Sequence, residues 1–213
     1  EFDPAFEYAL QHLYLAYVDT ERHDNNIELA NRAIELFPDE KLYKQRQLGA
    51  YRQAGKFKDY FRLAKKLEKS EFPILNPDKI IGDGYMYSGD YEKAEEHYLK
   101  MLANNEKEID GLFSLKAHSM YRGDYKKYIQ FSDHILQKCI ENNWNQQYAN
   151  ELAQRAFVLV FIFDKRSDSG LILDELESFL SDKEKNIKFD NLGLFSRILL
   201  LDAYAYLGMW NKI

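Results

Sequence analysis

The sequence predicts an all-α protein in which antiparallel helix pairs stack into a solenoid. Turn-forming residues recur every 34 residues, at Glu21, Gly55, Gly89 and Gly123, and a fixed period of this length is typical of stacked helical repeats. The chain has 10 Gly and 4 Pro in 213 residues, and it lacks the strand and turn signals of a sandwich or barrel. Hydrophobic residues make up 46% and charged residues 30%, which is typical of a folded, soluble chain.

The first two units, 7–40 and 41–74, match this period less well than the third unit, 75–108. The first unit has Glu21 at its turn instead of glycine. The second unit has Tyr60 at a position where the pattern expects a small residue. The residues that fit the period are Ala30, Ala33, Pro38, Tyr51, Gly55, Phe57 and Ala64.

The third unit, 75–108, shows the repeat most clearly. Its turn is Gly89-Asp90-Tyr91, which recurs as Gly-Asp-Tyr at residues 123–125 and as Gly-Lys-Phe at residues 55–57. Apolar and small residues flank the turn at the i, i+4, i+7 spacing of a helix face. They are Ile81, Gly82 and Tyr85 before the turn, and Ala94, Tyr98 and Met101 after it.

The fourth unit, 109–142, departs from the period at two positions. Lys116 and Tyr128 stand where the pattern expects small residues. These departures predict looser or tilted packing in this unit. The residues that fit are Leu112, Leu115, Gly123 and Tyr125.

Beyond residue 142 the 34-residue period breaks. The step from Gly123 to Gly208 is 85 residues, or two and a half periods, so two longer helix pairs fit residues 143–207 better than two standard ones. A turn at Gly208 then begins a further unit, 208–213. The predicted elements are a helix over Trp144–Phe163, a loop over Asp164–Gly170, a helix over Leu171–Leu180, a polar connection over Ser181–Lys188 and a helix over Asn191–Leu207.

The pattern of unit 75–108, a Gly-Asp-Tyr turn followed by Ala94 and Tyr98, resembles the tetratricopeptide repeat (TPR) family. The resemblance is specific over that unit and moderate over the rest of 7–142. It implies a single right-handed superhelical solenoid over residues 1–213. The longer later repeats resemble the TPR-like helical regions that are appended to bacterial signalling proteins.

In this family the first helix of each pair lines a concave groove, so the resemblance also implies a set of partner-binding residues. They are Gln45, Arg46, Arg52, Gln53, Lys79, Asp83, Tyr87, Phe113 and Tyr121. Cations, amides and aromatic rings side by side suit an extended or helical peptide, because aromatic residues anchor a partner and arginine binds carboxylates. The alternative is that Tyr87 and Tyr121 only pack within the fold.

Charge is unevenly distributed along the chain. The segment Lys41–Lys69 holds ten basic residues against Asp59 and Glu68, whereas the segment Asp83–Asp110 holds eight acidic residues against three lysines. One interpretation is that these are solvated helix faces. The other is that the basic segment binds an anionic partner. The formal net charge of −6 argues against nucleic acid as the partner.

No catalytic, metal-binding or cofactor-binding pattern is present in the sequence. The five histidines include no i, i+4 pair, and no phosphate-binding glycine loop or nucleophile motif occurs. Cys139 lies in an amphipathic segment and is predicted to be a buried structural residue. The tripeptide Arg122-Gly123-Asp124 belongs to a repeat turn, so we do not interpret it as an adhesion motif.

The predicted function is that of a non-enzymatic interaction module, a scaffold or adaptor that binds a protein or an acidic peptide in its groove. The alternative is the sensor or regulatory region of a multidomain bacterial transcription regulator or kinase, which would bind a peptide or a small effector. An enzyme is not expected, because no constellation of residues supports one.

The compartment and the chain ends give further expectations. A single cysteine, Cys139, makes no internal disulfide, so a cytoplasmic protein is expected. A membrane segment is not expected, because no apolar run in the sequence is long enough to cross a bilayer. Asp3 and Pro4 predict that a helix begins at residue 4. The chain stops at Ile213, where the second helix of a repeat should begin, so we expect a longer natural protein.

Overall fold

The computed structural model describes residues 4–68, 76–103, 108–185, 187–209 and 212, with side chains described from residue 8. The described part of the chain is helical and contains no strand, which confirms the all-α prediction. The helices are α1 (Pro4–Asp19), α2 (His23–Leu36), α3 (Lys41–Gln53), α4 (Phe57–Glu68), α5 (Pro77–Ser88), α6 (Tyr91–Leu102), α7 (Glu108–Tyr121), α8 (Tyr125–Glu141), α9 (Asn145–Phe161), α10 (Arg166–Ser181) and α11 (Leu194–Tyr206), with a 3₁₀ turn at Phe189–Asn191.

The periodic turn residues have the backbone conformation that the repeat requires. Glu21 has a φ of 56°, and Gly55, Gly89 and Gly123 have values of 66°, 87° and 67°. This left-handed conformation ends one helix and redirects the chain into the next, and glycine adopts it at the least cost. The predicted turns are therefore confirmed at all four positions.

The Gly-Asp sequence of two turns has a simple physical explanation. Gly89 closes α5 in the left-handed conformation, and the Asp90 side chain then accepts a hydrogen bond from the Lys93 backbone N–H at 3.3 Å. Asp124 does the same for α8, accepting from the Lys127 N–H at 3.1 Å. Glycine ends one helix and aspartate caps the next, so the dipeptide fixes both helix boundaries.

The later turns are spaced more widely along the chain than the 34 residues of the earlier period. Asn143, between α8 and α9, is left-handed with a φ of 56°. The turn that joins α9 to α10 is at Asp164, with a φ of 51°, and the turn after α11 is at Gly208, with a φ of 75°. Gly123, which joins α7 to α8, Asp164 and Gly208 form the series of turns that continues the period. These positions lie 41 and then 44 residues apart along the chain. The predicted turn at Gly208 is thus confirmed.

Two predicted boundaries in this region are wrong. Residues 166–170 were expected in a loop, but α10 already begins at Arg166 because the buried Ser169 hydroxyl donates to the Ala156 carbonyl at 2.9 Å and holds this turn against α9. The last helix was expected to begin at Asn191 but begins at Leu194. The Asn191 side chain accepts from the Lys188 backbone N–H at 2.8 Å and closes the 3₁₀ turn before α11.

The chain divides into two compact units, residues 1–97 and 98–213, with the division inside α6. In the first unit each of α1 to α4 packs against the helix that follows it. Gly84 of α5 lies against the Tyr60 ring, which a methyl group at this position would approach to 2.6 Å. The Tyr60 hydroxyl donates to the Ile80 carbonyl at 2.8 Å, so a glycine allows α4 and α5 to approach closely.

The core of the second unit is built around α9, which packs against α8, α10 and α11. Small residues on α9 recur at helical spacing, and all are fully buried. They let neighbouring helices approach while leucines fill the remaining space. The fully buried members of this core are Ala149, Leu152, Ala153, Ala156, Leu173, Leu176 and Ala203. Contacts between consecutive helices fit a repeat in both units, whereas a single solenoid over residues 1–213 stays a prediction.

Candidate functional site

Seven of the nine predicted groove residues lie in the first unit, on α3 and α5. The structure places α1, α3 and α5 side by side through these residues. The guanidinium carbon of Arg46 lies 5.4 Å from the centre of the Tyr14 ring on α1, and that of Arg52 lies 4.4 Å from the centre of the Tyr87 ring on α5. We call the surface formed by Tyr14, Arg46, Arg52 and Tyr87 the cationic–aromatic face.

Among the described residues, the two arginines of this face have aromatic neighbours but no carboxylate partner. Arg46 also lies 5.7 Å from the Tyr43 ring centre. Within the described residues, neither Arg46 nor Arg52 forms an ion pair. Burial raises the pKa of Tyr14, while the nearby charges of Arg52 and Arg46 act in the opposite direction. Tyr14 therefore remains a neutral ring, and both arginines keep guanidinium N–H groups for a ligand.

The other predicted residues of the first unit contribute less charge than the sequence implies. Lys79 Nζ lies 3.0 Å from Asp83 Oδ2, so these two groove residues neutralise one another along α5. Gln53 has a side-chain oxygen that is shielded from solvent and has no hydrogen-bond partner among the described residues. Gln45 is partly buried on α3. The unopposed charge of the predicted set is that of Arg46 and Arg52.

Much of the basic segment of the sequence lies outside this face. Lys56 Nζ pairs with Asp24 at 2.5 Å, and Arg62 pairs with Asp59 at 2.6 Å. Lys65 and Lys66 are exposed on α4. These residues fit the interpretation as a solvated helix face. The two ion pairs, Lys56 with Asp24 and Arg62 with Asp59, lie at the surface and contribute little stability.

The last two predicted residues belong to the second unit. Phe113 and Tyr121 lie on α7, and both side chains are exposed. Phe113 lies beside a buried lysine, with its ring centre 5.4 Å from Lys116 Nζ. Tyr121 ends the helix before the Gly123 turn.

A cavity of about 300 Å³ lies in the second unit, and sequence reasoning missed it. It is bounded by the consecutive odd-numbered helices α7, α9 and α11, together with one residue of α8. Most of its wall is apolar. The apolar residues are Ala117 and Met120 of α7, Phe157 and Val158 of α9, Ile162 beyond its end, and Phe195 and Leu199 of α11.

Three polar residues complete the wall: Lys116, Tyr128 and Gln154. Lys116 is only 6% exposed, and its Nζ lies 2.5 Å from Oε2 of Glu151, which is 2% exposed. The Ser132 hydroxyl donates to the other Glu151 oxygen at 2.8 Å. Both oxygens of the buried carboxylate thus have partners, and the two charges cancel.

The remaining polar groups of the cavity have no such partners. The Tyr128 side chain is 1% exposed, and its hydroxyl has no hydrogen-bond partner in the described part of the chain. Burial is the main cause that raises the pKa of Tyr128, followed by the charge of Glu151, so the phenol stays protonated. Gln154 is partly exposed in the cavity wall, and it too makes no hydrogen bond to a described residue. Unpaired polar groups in an apolar cavity are typical of ligand sites.

The sequence carried one signal of this site. Lys116 and Tyr128 are the two residues that depart from the small positions of the fourth unit, where looser packing was expected, and both line the cavity. The partner of Lys116 could not be found in the same way, because Glu151 lies 35 residues further along the chain. No local pattern connects residues at that separation.

Two other candidate sites are accounted for by packing. Cys139 is 2% exposed, and burial is the main cause that raises the pKa of its thiol to about 11, so the reactive thiolate is disfavoured at neutral pH. His97 Nδ1 lies 2.9 Å from Asp78 Oδ1 and its ring stacks on Tyr85. Over the described ranges, no group of three or more His, Cys, Asp or Glu side chains is placed to hold a metal ion.

In the part of the chain that the structure describes, no helix is both long enough and apolar enough to cross a bilayer. No protein-family model and no curated protein matches this chain in sequence.

Proposed function

We propose that the chain is a non-enzymatic interaction module of the TPR type, a superhelical scaffold or adaptor whose cationic–aromatic face binds an acidic peptide segment of a partner protein. One observation carries this proposal. Arg46 and Arg52 lie against tyrosine rings and have no carboxylate partner among the described residues. Among the described residues, most of the other cations of the same region that the sequence singled out are either paired or exposed.

The chemistry of this face selects the class of partner. A guanidinium held over an aromatic ring keeps its N–H groups at the edge of its plane, where a carboxylate can accept two of them. The flat rings of Tyr14 and Tyr87 provide apolar contact area beside the charge, which suits leucine or phenylalanine side chains. A segment that alternates acidic and apolar residues satisfies both requirements.

The test uses short fluorescein-labelled peptides in which Glu or Asp alternates with Leu or Phe, each beside a counterpart with Gln or Asn. Binding to the full chain is measured by fluorescence anisotropy. We expect the acidic peptides to bind and Arg46→Glu with Arg52→Glu to weaken binding at least about tenfold, because a repulsive charge replaces each attraction. Circular dichroism checks that the variant remains helical.

Lys65→Glu with Lys66→Glu is the matched control, because it changes the net charge equally on the exposed face of α4. Binding that this control retains, and that the arginine variant loses, supports a specific site. Equal losses in the two variants would mean that only the net charge attracts the peptide. Binding that neither variant changes would show that the cationic–aromatic face is not the site.

A second candidate function is a sensor or regulatory region that binds a small effector, as in bacterial multidomain regulators. The cavity bounded by α7, α9 and α11 is the observation that favours it. Its volume of about 300 Å³ lies at the lower end of the range for small-molecule sites, and its mainly apolar wall is typical of them.

A further inference from the structure

The cavity of the second unit has a mainly apolar wall, and its one charged lining residue, Lys116, is already paired with Glu151. These two facts determine what the cavity can hold. We propose that it binds an uncharged, largely apolar small molecule with one amide, ester or carbonyl group, which pairs with Gln154. This inference rests on the second candidate function, and it is independent of the cationic–aromatic face.

Shape and surface favour a small molecule with a substantial apolar part. Residues from three successive odd-numbered helices form the wall, and phenylalanines from two of them, Phe157 and Phe195, face the same space. Phe195 is apolar, yet 66% of its surface is exposed to solvent. Covering it and the neighbouring Ile162 would remove apolar surface from water, which stabilises a complex.

Charge decides against an ionic ligand. Lys116 is already paired with Glu151, and the second Glu151 oxygen accepts from Ser132. A ligand carboxylate would therefore place a second negative charge near Glu151, and the described residues that line the cavity offer no unpaired cation to balance it. A positively charged ammonium group on a ligand would be repelled by Lys116. A neutral molecule avoids both costs.

Hydrogen bonding specifies where the polar group of the ligand lies. The Gln154 amide can both donate and accept, and it makes no hydrogen bond within the described residues. The Tyr128 hydroxyl is shielded from solvent, so Gln154 is the polar group that a ligand can reach. An amide or carbonyl group beside Gln154 therefore meets a side chain without a hydrogen-bond partner among the described residues, while the rest of the molecule contacts the phenylalanines.

The test compares three probes that share one alkyl chain, namely octanamide, octanoate and octylammonium, by isothermal titration calorimetry on the full chain. We expect octanamide to bind and both ions to bind at least about tenfold more weakly. Gln154→Met keeps the length of the side chain and removes its hydrogen bonds. We expect this variant to bind octanamide several-fold more weakly.

A cavity-filling variant locates the site. Ala117→Phe should abolish the heat of octanamide binding, whereas Leu171→Phe, on the exposed side of α10, should leave it unchanged. If the Ala117→Phe variant still bound octanamide, the cavity would not be the binding site. Preferred binding of octanoate would overturn the proposed ligand class, and no saturable binding of octanamide would overturn the proposal itself.

The same samples separate this inference from the peptide proposal. The Arg46→Glu, Arg52→Glu variant should still bind octanamide, and Ala117→Phe should still bind the acidic peptides. If the acidic peptides do not bind but octanamide does, only the peptide proposal fails. If octanamide does not bind but the acidic peptides do, only the cavity proposal fails.

Discussion

At the scale of single residues, the buried pair of Lys116 and Glu151 is the most consequential feature of the second unit. Both side chains are almost fully removed from water, and Ser132 supplies the remaining hydrogen bond to the carboxylate. A buried ion pair contributes little net stability, but removing one member leaves a charge that nothing compensates.

We predict that Lys116→Met lowers the free energy of unfolding by roughly 3–5 kcal/mol, because Glu151 then stays buried without a cation. The double variant Lys116→Met with Glu151→Leu should be more stable than this single variant, since both charges are absent. Urea unfolding followed by circular dichroism measures all three proteins. Lys126→Met, at an exposed site on the neighbouring helix, is the control and should change stability by less than about 0.5 kcal/mol.

If the single and double variants were equally stable, the buried charge of Glu151 would not need Lys116 to compensate it. That result would also weaken the argument that the cavity wall is electrically neutral.

At the scale of helices and turns, one left-handed conformation separates the two helices of each repeat, but different residues adopt it. Gly55, Gly89 and Gly123 do so without a side chain, and a methyl group added at any of them would meet open space. Glu21 adopts the same conformation with a side chain, which costs roughly 1 kcal/mol. The first turn is therefore the strained one among these four.

We predict that Glu21→Gly stabilises the protein by about 0.5–1 kcal/mol, because it relieves this strain. The reverse substitution Gly55→Glu, at the equivalent position of the next repeat, should destabilise by a similar amount. Thermal unfolding of both variants beside the unmodified chain measures the two effects. Glu21→Ala serves as the control for loss of the side-chain charge, and it should not stabilise, since alanine keeps the strain.

A destabilising effect of Glu21→Gly would mean that the Glu21 side chain contributes more to the folded state than its backbone strain costs.

At the scale of the whole molecule, the two compact units differ in how their described cores are built. In the first unit Leu48, Tyr60, Ala64, Leu67 and Ile80 form one buried cluster. In the second, a larger cluster extends over α9, α10 and α11 and includes the fully buried Leu152 and Leu176. Stability in stacked repeats is local, so these cores should open independently and at different cost.

We predict that the amides of α9 and α10 exchange hydrogen more slowly than those of α3 and α4, because more buried apolar surface must be exposed to open them. Hydrogen exchange with mass spectrometry measures this. Leu176→Ala should speed exchange in α9 and α10, whereas Leu171→Ala, at a residue that is 66% exposed, should not. Equal protection in all four helices would indicate a single cooperative unit instead.

The fold was predictable from features of the sequence that act locally. The left-handed turn at Gly89 and the Asp90 cap that follows it are properties of neighbouring residues, so their recurrence every 34 residues predicted the helix pairs. The errors occurred where a distant contact decided a boundary. The hydrogen bond of Ser169 to Ala156 moved the start of α10, and no pattern within that segment could show it.

The candidate sites were predictable only in part, for the same reason. The resemblance identified Arg46 and Arg52, but the pairing of Lys79 with Asp83 and the tyrosine rings beside the arginines became visible only in the structure. Lys116 and Tyr128 were visible as misfits to the repeat, but not as parts of a cavity wall.

By itself the sequence determined the helical class, the period and the positions of the turns, because backbone conformation and helix capping depend on adjacent residues. Only the tertiary structure decided which charges are neutralised and where an apolar cavity forms. Those outcomes depend on side chains brought together from helices about one repeat apart, such as Lys116 and Glu151, and spacing along the chain does not specify such a contact.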